Sequence, residues 1–346
     1  MSFFKNLFHN KKCSESVVLV DIAADSVAGA YMRYTEGELP TILYTRRIQI
    51  RNREDEPHEQ AMLRVLLSLG NELIHDGAPI LMRATGSGNA ENILVSVDTP
   101  WQETKVRTEN FERETPFVFT KSIVATALEK TSVVPPKKFL ADESIIGTIL
   151  NGYETHSPYG KKVRRASLII MTTLIDKNIS DTVVSTLSGL YHTKNILPIA
   201  GNSLRYQAMR NAFPHEREAL ILDATGPIIS IALIRKGLFV ALAEESPSED
   251  DLSWIKVVKK KFSELAKQYP LPRTIFLLAR ESKIPALQKL LQEANFESLW
   301  LSDNPPKIVP VLASHIVNSI RQTTTTPPDL QLILMALYYS RRAPEE

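Results

Sequence analysis

Cysteine is almost missing from this chain: Cys13 is the only one in 346 residues. A single thiol excludes an intramolecular disulfide and any thiolate-rich metal site, and it suits a reducing compartment. Excess charge of one sign is missing too. The 41 Lys and Arg against 39 Asp and Glu leave a formal charge of +2, so the whole-molecule field gives no reason to expect nucleic acid. No uninterrupted apolar run reaches the ~18 residues that a spanning helix needs, so the chain is not expected to cross a membrane by itself. Catalytic signatures are also sparse. His58-Glu59 and His215-Glu216 each lack the second histidine of a zinc helix, no Gly-x-Ser-x-Gly elbow occurs, and Cys13 has no evident activating neighbour.

What is present is length and apolar content for two domains or one bilobal unit, and a pattern that occurs twice. Ala219 to Asp223 reads as a buried strand, Thr225-Gly226-Pro227 as a tight turn, Ile228 to Arg235 as an alternating second strand and Lys236-Gly237 as a hairpin turn. Val17-Val18-Leu19-Val20-Asp21 repeats that grammar, followed by the turn Ala23-Ala24-Asp25-Ser26, a strand from Val27 to Tyr34 and a turn at Glu36-Gly37. The periodicity predicts a helix from His58 to about His75 with Leu63, Leu66, Leu67 and Ile74 buried, and a helix from Asn178 to Leu190. It also predicts two short strands between Lys138 and Leu150, a helix from Asn202 to Phe213, and a closing helix from Asp329 to Arg342 packed on the first domain. Ala84-Thr85-Gly86-Ser87-Gly88 precedes a strand and not a helix, which suits a surface loop better than a phosphate cradle.

The paired strand-Asp-turn units resemble the actin-like ATPase superfamily, where two such turns face each other across the cleft that holds ATP phosphates. Val20-Asp21-Ile22 and Leu222-Asp223-Ala224 are similar to those two loops. Within the superfamily the chain most resembles the branch of the division protein FtsA and the pilus assembly protein PilM. Asn151-Gly152-Tyr153, then Pro158-Tyr159-Gly160-Lys161-Lys162 and the β run from Ser167 to Leu174, resemble in order the SHS2-type inserted subdomain 1C of that branch. The resemblance implies an α/β, bilobal actin-like (duplicated ribonuclease H-like) fold with a 1C-like α+β insert and a reduced or absent subdomain IIB. Its expected parts are an N-terminal amphipathic segment (1–16), lobe I (17–100 and 176–205), the insert (101–175), lobe II (206–312) and a closing segment (313–346).

Phosphate loops need glycine so that backbone N–H groups can reach the anion. Here the first turn carries Ala23, Ala24 and Asp25, the second places Pro227 where an N–H is wanted, and Ala279-Arg280-Glu281 stands at the adenosine turn. Asp21, Ser26, Asp223, Thr225 and Gly226 are what remains of the nucleotide loops. The two aspartates read either as relics of metal- and water-positioning groups or, the favoured reading, as strand-end caps bonded to turn amides. No cofactor or catalysis is expected, and ATP with Mg is disfavoured.

Two further stretches are candidate contact sites. Phe3, Phe4, Leu7 and Phe8 share one helical face with lysines around it, which suits either a membrane or partner-docking helix or a terminus tucked onto the domain. Lys161, Lys162, Arg164 and Arg165 form a basic cluster that is either a solvated hairpin rim or a surface for an acidic tail or anionic lipid. The resemblance implies a scaffold at the cytoplasmic face of the bacterial inner membrane. It would dock the tails of membrane proteins, or further copies of itself, in pilus or envelope assembly. The chain lacks the basic C-terminal amphipathic helix usual in FtsA-type tethers, which favours the PilM side. The alternatives are an ATP-binding, FtsA-like tether for a tubulin-like filament and a sugar-kinase-type ATPase, the latter disfavoured by the lost glycines.

Overall fold

The computed structural model describes residues 14–341 except 131–133, 156, 248–250, 295, 297–298, 301–304, 324–325 and 327. Phe3, Phe4, Leu7 and Phe8 therefore lie outside the described residues. Lobe I opens with β1 (Ser14–Ile22), β2 (Ser26–Thr35) and β3 (Thr41–Gln49), followed by α1 (His58–Glu72), one π turn (Leu73–Gly77), α2 (Ala78–Thr85) and β4 (Asn92–Val97). The insert comprises β5 (Gln102–Val118), α3 (Lys121–Glu129), β6 (Lys138–Leu150), β7 (Tyr153–Glu154) and β8 (Lys162–Asp176). The chain returns to lobe I through α4 (Lys177–Tyr191) and β9 (Ile196–Ala200), and α5 (Gly201–Ala212) leads out of it. Lobe II holds β10 (Ala219–Ala224), β11 (Ile229–Arg235), β12 (Leu238–Glu245), α6 (Asp251–Ala266), β13 (Thr274–Ala279), α7 (Ile284–Glu293) and β14 (Lys307–Pro310). Then come α8 (Ala313–Ile316), β15 (Arg321–Gln322) and α9 (Leu330–Arg341). No IIB-sized module separates β12 from α6.

The two main sheets run β15-β3-β2-β1-β4-β9 and β12-β11-β10-β13-β14. Leaving β15 aside, both place a three-stranded antiparallel meander beside two parallel strands in the same order. The duplication extends to register: Asp21 lies opposite Ala28, and Asp223 lies opposite Ser230, the same number of residues further along each hairpin.

Central strands β1 and β10 are continuous apolar runs because both faces of their sheets are covered. On β1, Val17 and Leu19 point one way and Val18, Val20 and Ile22 the other. On β10, Ala219 and Ile221 join the same cluster as Val17 and Leu19, whereas Leu220 and Leu222 belong to a separate outer core. That shared cluster is filled by α5 (Leu204, Ala208, Met209) and α9 (Leu332 to Leu337), so one inner core joins the lobes. Strand β15 extends lobe I by pairing with Thr41 and Ile42.

Two expectations need correction. The buried face of α1 is Ala61, Met62, Val65, Leu66 and Leu69; Leu63 is half-buried, and Leu67 and Ile74 are exposed. The π turn at Leu73–Gly77 adds a residue to the helical count and so displaces Ile74, whereas Leu63 and Leu67 precede it and lie off the side of α1 that carries Met62, Leu66 and Leu69. Lys138–Leu150 is one strand and not two, continued past register irregularities at Leu140/Asp142 and Ile145/Gly147.

The insert sheet, ordered β5-β8-β6-β7, packs α3 on one face and leans its other face on lobe II. Gly147 makes that contact: a Cβ there would lie 2.6 Å from Leu238 Cδ1. No helix among the described residues is long and apolar enough to cross a membrane. Gly147→Ile is expected to destabilise the protein by ~1–3 kcal/mol through overpacking, read as a lower denaturant midpoint at unchanged m-value.

Candidate functional site

The carboxyl ends of β1 and β10 meet at the cleft between the lobes, as in other open α/β sheets whose ligand crevices lie beyond strand C-termini. The structure brings Asp21, Ser26, Asp223 and Thr225 together there, with Gly226 in the adjoining turn. None of the four side chains is left pointing into open space. Asp223 bonds its own turn, accepting from Thr225 N–H (3.0 Å) and Thr225 Oγ1–H (2.6 Å) at Oδ1. Its Oδ2 pairs with Arg205 Nε at 2.6 Å. Asp21 departs from the strand-cap expectation. Its Oδ2 accepts from Arg47 Nη2 at 2.9 Å, its Oδ1 is buried without a hydrogen-bond partner, and the turn amide of Ala23 donates to Ser26 O instead. The Ser26 hydroxyl donates to Asp25 Oδ1 and accepts from Arg47 Nη1.

These pairs join into one chain across the cleft. Arg47, on β3, also grips Asp329 through Nε (2.7 Å) and Nη2 (3.0 Å). Asp329 in turn accepts from the N–H groups of Gln331 and Leu332 and so caps α9. Gln331 Nε2 donates to Thr225 Oγ1 at 2.6 Å, which leads back to Asp223. On the other side Arg205, buried in the first turns of α5, reaches Asp98 with both Nη atoms (3.0 and 2.7 Å). Asp98 follows β4 and sits against the N-terminus of α5, where a carboxylate is favoured. Gly201 makes the approach possible, since a Cβ there would collide with Asp98 Oδ1. A more exposed link closes the rim: Arg280 Nη2 meets Asp25 Oδ2 at 2.6 Å. Thus Asp25 of the first turn is paired with Arg280, which follows β13.

The space left between the turns is about 30 Å³, lined by Ala23, Ala24, Asp98, Arg205, Thr225 and Pro227 among others. That is room for about two water molecules. Larger hollows lie elsewhere, one of about 150 Å³ beside the end of α5 and an open groove of about 660 Å³ on the insert. Among the described residues, no group of three or more His, Cys, Asp or Glu is placed to hold a metal ion.

Lys161, Lys162, Arg164 and Arg165 are not part of the cleft; they lie at the far end of the insert. Lys161 Nζ donates to Thr155 Oγ1 (2.8 Å), and Arg165 pairs with Glu112 (2.7 Å). Sequence reasoning missed Arg47, Asp98, Arg205 and Asp329, and saw Arg280 only as a lost glycine. One signal was available: Arg205 stands on the apolar face of α5 between Leu204 and Ala208, and a buried guanidinium demands buried carboxylates.

Burial pushes the Asp21 carboxyl up to about 6; Asp98 and Asp329 add to the rise, while Arg47 and Arg205 oppose it. The ordinary value is 3.8, so the folded state takes the proton first, and this contribution to stability is complete below that value and lost as pH rises through about 6. Asp329 runs the other way: against the cost of its burial, Arg47 holds it low, and its contribution is lost only below the ordinary carboxylate range. Asp21→Asn, which imitates the protonated form, is therefore expected to melt above the parent at about pH 7.5, with the gap narrowing towards about pH 5, by scanning calorimetry. Arg205→Ala strands two buried carboxylates and is expected to cost ~3–5 kcal/mol in urea unfolding.

No family model and no curated protein matches the sequence. Among solved structures, the chain is similar to one in a PilM–PilN type IV pilus biogenesis complex, at 13% identity and a TM-score of 0.53, covering 94% of this chain and 97% of that one. It is also similar to a Bacteroides thetaiotaomicron protein with an actin-like ATPase fold and unknown function, at 8% identity and a TM-score of 0.48, over 93% of this chain and 95% of the other. The repeated strand order, the facing aspartates and the first of these matches together show that this chain has the fold of the actin-like ATPases.

Proposed function

We propose that this chain is a PilM-like scaffold that has kept the actin-like frame and given up nucleotide chemistry. It docks the cytoplasmic tail of a membrane protein in pilus or cell-envelope assembly and is held at the inner membrane through that partner. The observation that carries the reading is the chain of ion pairs in the cleft. Each signature aspartate is paired with an arginine of the chain itself, at the place where a metal ion would supply the counter-charge. The residues present do not fit a triphosphate: the cleft holds about 30 Å³, the turns lack the glycines that expose N–H groups, and Pro227 has none to offer. The similarity to a chain of a PilM–PilN complex supports the scaffold side of the reading.

Opening the cleft for ATP would require parting buried charges from their partners, and a buried charge left unpaired costs ~3–5 kcal/mol. The test is a thermal shift with millimolar Mg-ATP. A ligand at a hundredfold over its Kd stabilises the folded state by ~2.7 kcal/mol. No shift is expected here; a rise of several degrees would replace this reading with that of a nucleotide-controlled, FtsA-like assembly protein.

A further inference from the structure

The insert runs along lobe II from the cleft to the foot of that lobe. At the cleft end Thr99 Oγ1 donates to Glu244 at the end of β12 (2.8 Å), and Asp176 N–H donates to Trp101 O (2.8 Å). At the other end Gly147 packs on Leu238, where β12 begins, and Glu154 pairs with Arg217 at the foot of lobe II. Strands β5 and β8 continue to a tip at which Val118 lies opposite Lys162.

That tip presents apolar and cationic side chains together. Tyr153 is 79% exposed, Tyr159 52% and Val118 48%, among eight large exposed hydrophobic residues in the described part of the chain. Lys161, Lys162 and Arg164 stand beside them, all exposed, while Val163 between the last two points inward. No acidic partner pairs with Lys162 or Arg164 among the described residues. The loops are held in place. Phe119 N–H donates to Lys161 O and Gly160 N–H to Phe119 O (both 2.9 Å), and Asn151 Oδ1 accepts from the N–H groups of Arg164 and Arg165.

The geometry points to an anionic bilayer as the partner of this tip. The groove beside Arg164 carries Glu112 and Glu114 as well as Arg113 and Arg165, so its mixed charge suits an acidic peptide poorly, whereas the exposed rings of Tyr153 and Tyr159 suit a surface that deforms around them. Tyrosine rings rest favourably at headgroup depth, and neighbouring cations add to one another near anionic lipid. Direct lipid contact is independent of the scaffold reading, because it needs neither a partner protein nor an empty cleft, and the ATP result leaves it unaffected.

The test is co-sedimentation of the full chain with vesicles of phosphatidylcholine alone or mixed with phosphatidylglycerol. Partition into the mixed vesicles is expected, weakening with added salt. Replacing Lys161, Lys162 and Arg164 together with Gln is expected to lower it on the order of a hundredfold, about fivefold per cation, with unchanged circular dichroism. Tyr153→Ser with Tyr159→Ser is expected to lower it as well. Equal partition into neutral vesicles would overturn the proposal. So would full binding by the triple variant, with loss confined to Phe3→Ala, Phe4→Ala and Leu7→Ala. Binding of an acidic peptide without vesicle binding would overturn it in favour of a protein partner.

Discussion

The relay that runs Asp21–Arg47–Asp329–Gln331–Thr225–Asp223–Arg205–Asp98 sets the relation between the lobes. It begins and ends in lobe I and passes through lobe II, so the lobes cannot separate without parting carboxylates from the guanidiniums that pair with them. Such groups contribute less as net stabilisation than as a penalty on every other arrangement: a buried pair is expensive to form from water and more expensive to break by half. Four carboxylates share two guanidiniums, an excess of negative charge that falls on Asp21, whose second oxygen is buried without a partner and whose carboxyl holds its proton more tightly than usual.

Apolar packing supports the same geometry from below. The inner faces of both sheets share one core built around α5 and α9, and both helices begin at the cleft, where their N-termini meet Asp98 and Asp329. The insert adds a second brace along β12, through Leu238, Ile146 and Met171. Helix dipoles, ion pairs and shared core therefore all act on the same relation between the lobes.

Much of this was legible in the sequence, and the exceptions follow physical lines. Strand, aspartate, turn and strand are local signals, so both hairpins and their equivalence could be read directly from Val17–Asp21 and Ala219–Asp223. Ile74 was misplaced because a π turn is invisible to a fixed period, Leu63 and Leu67 because leucines on more than one side of α1 do not announce which side is covered, and β6 was divided because bulges look like breaks. The loss of glycine in the turns was plain. What replaced it was not: Arg47 and Asp329 are far apart in sequence, and no local pattern announces that a guanidinium and a carboxylate will meet. The basic tip was visible as a run, but its protruding tyrosines took on meaning only once their exposure was known.

Strand β15 and helix α9 come from the far end of the chain yet complete the first lobe, one by extending its sheet and the other by covering its inner face. The lobe made first is therefore left unfinished until the whole of lobe II has been made. During translation its inner apolar face and Arg47 have to wait, uncovered, for residues still inside the ribosome. The polypeptide closes on itself as a clasp does, the later residues sealing the lobe that the earlier ones began.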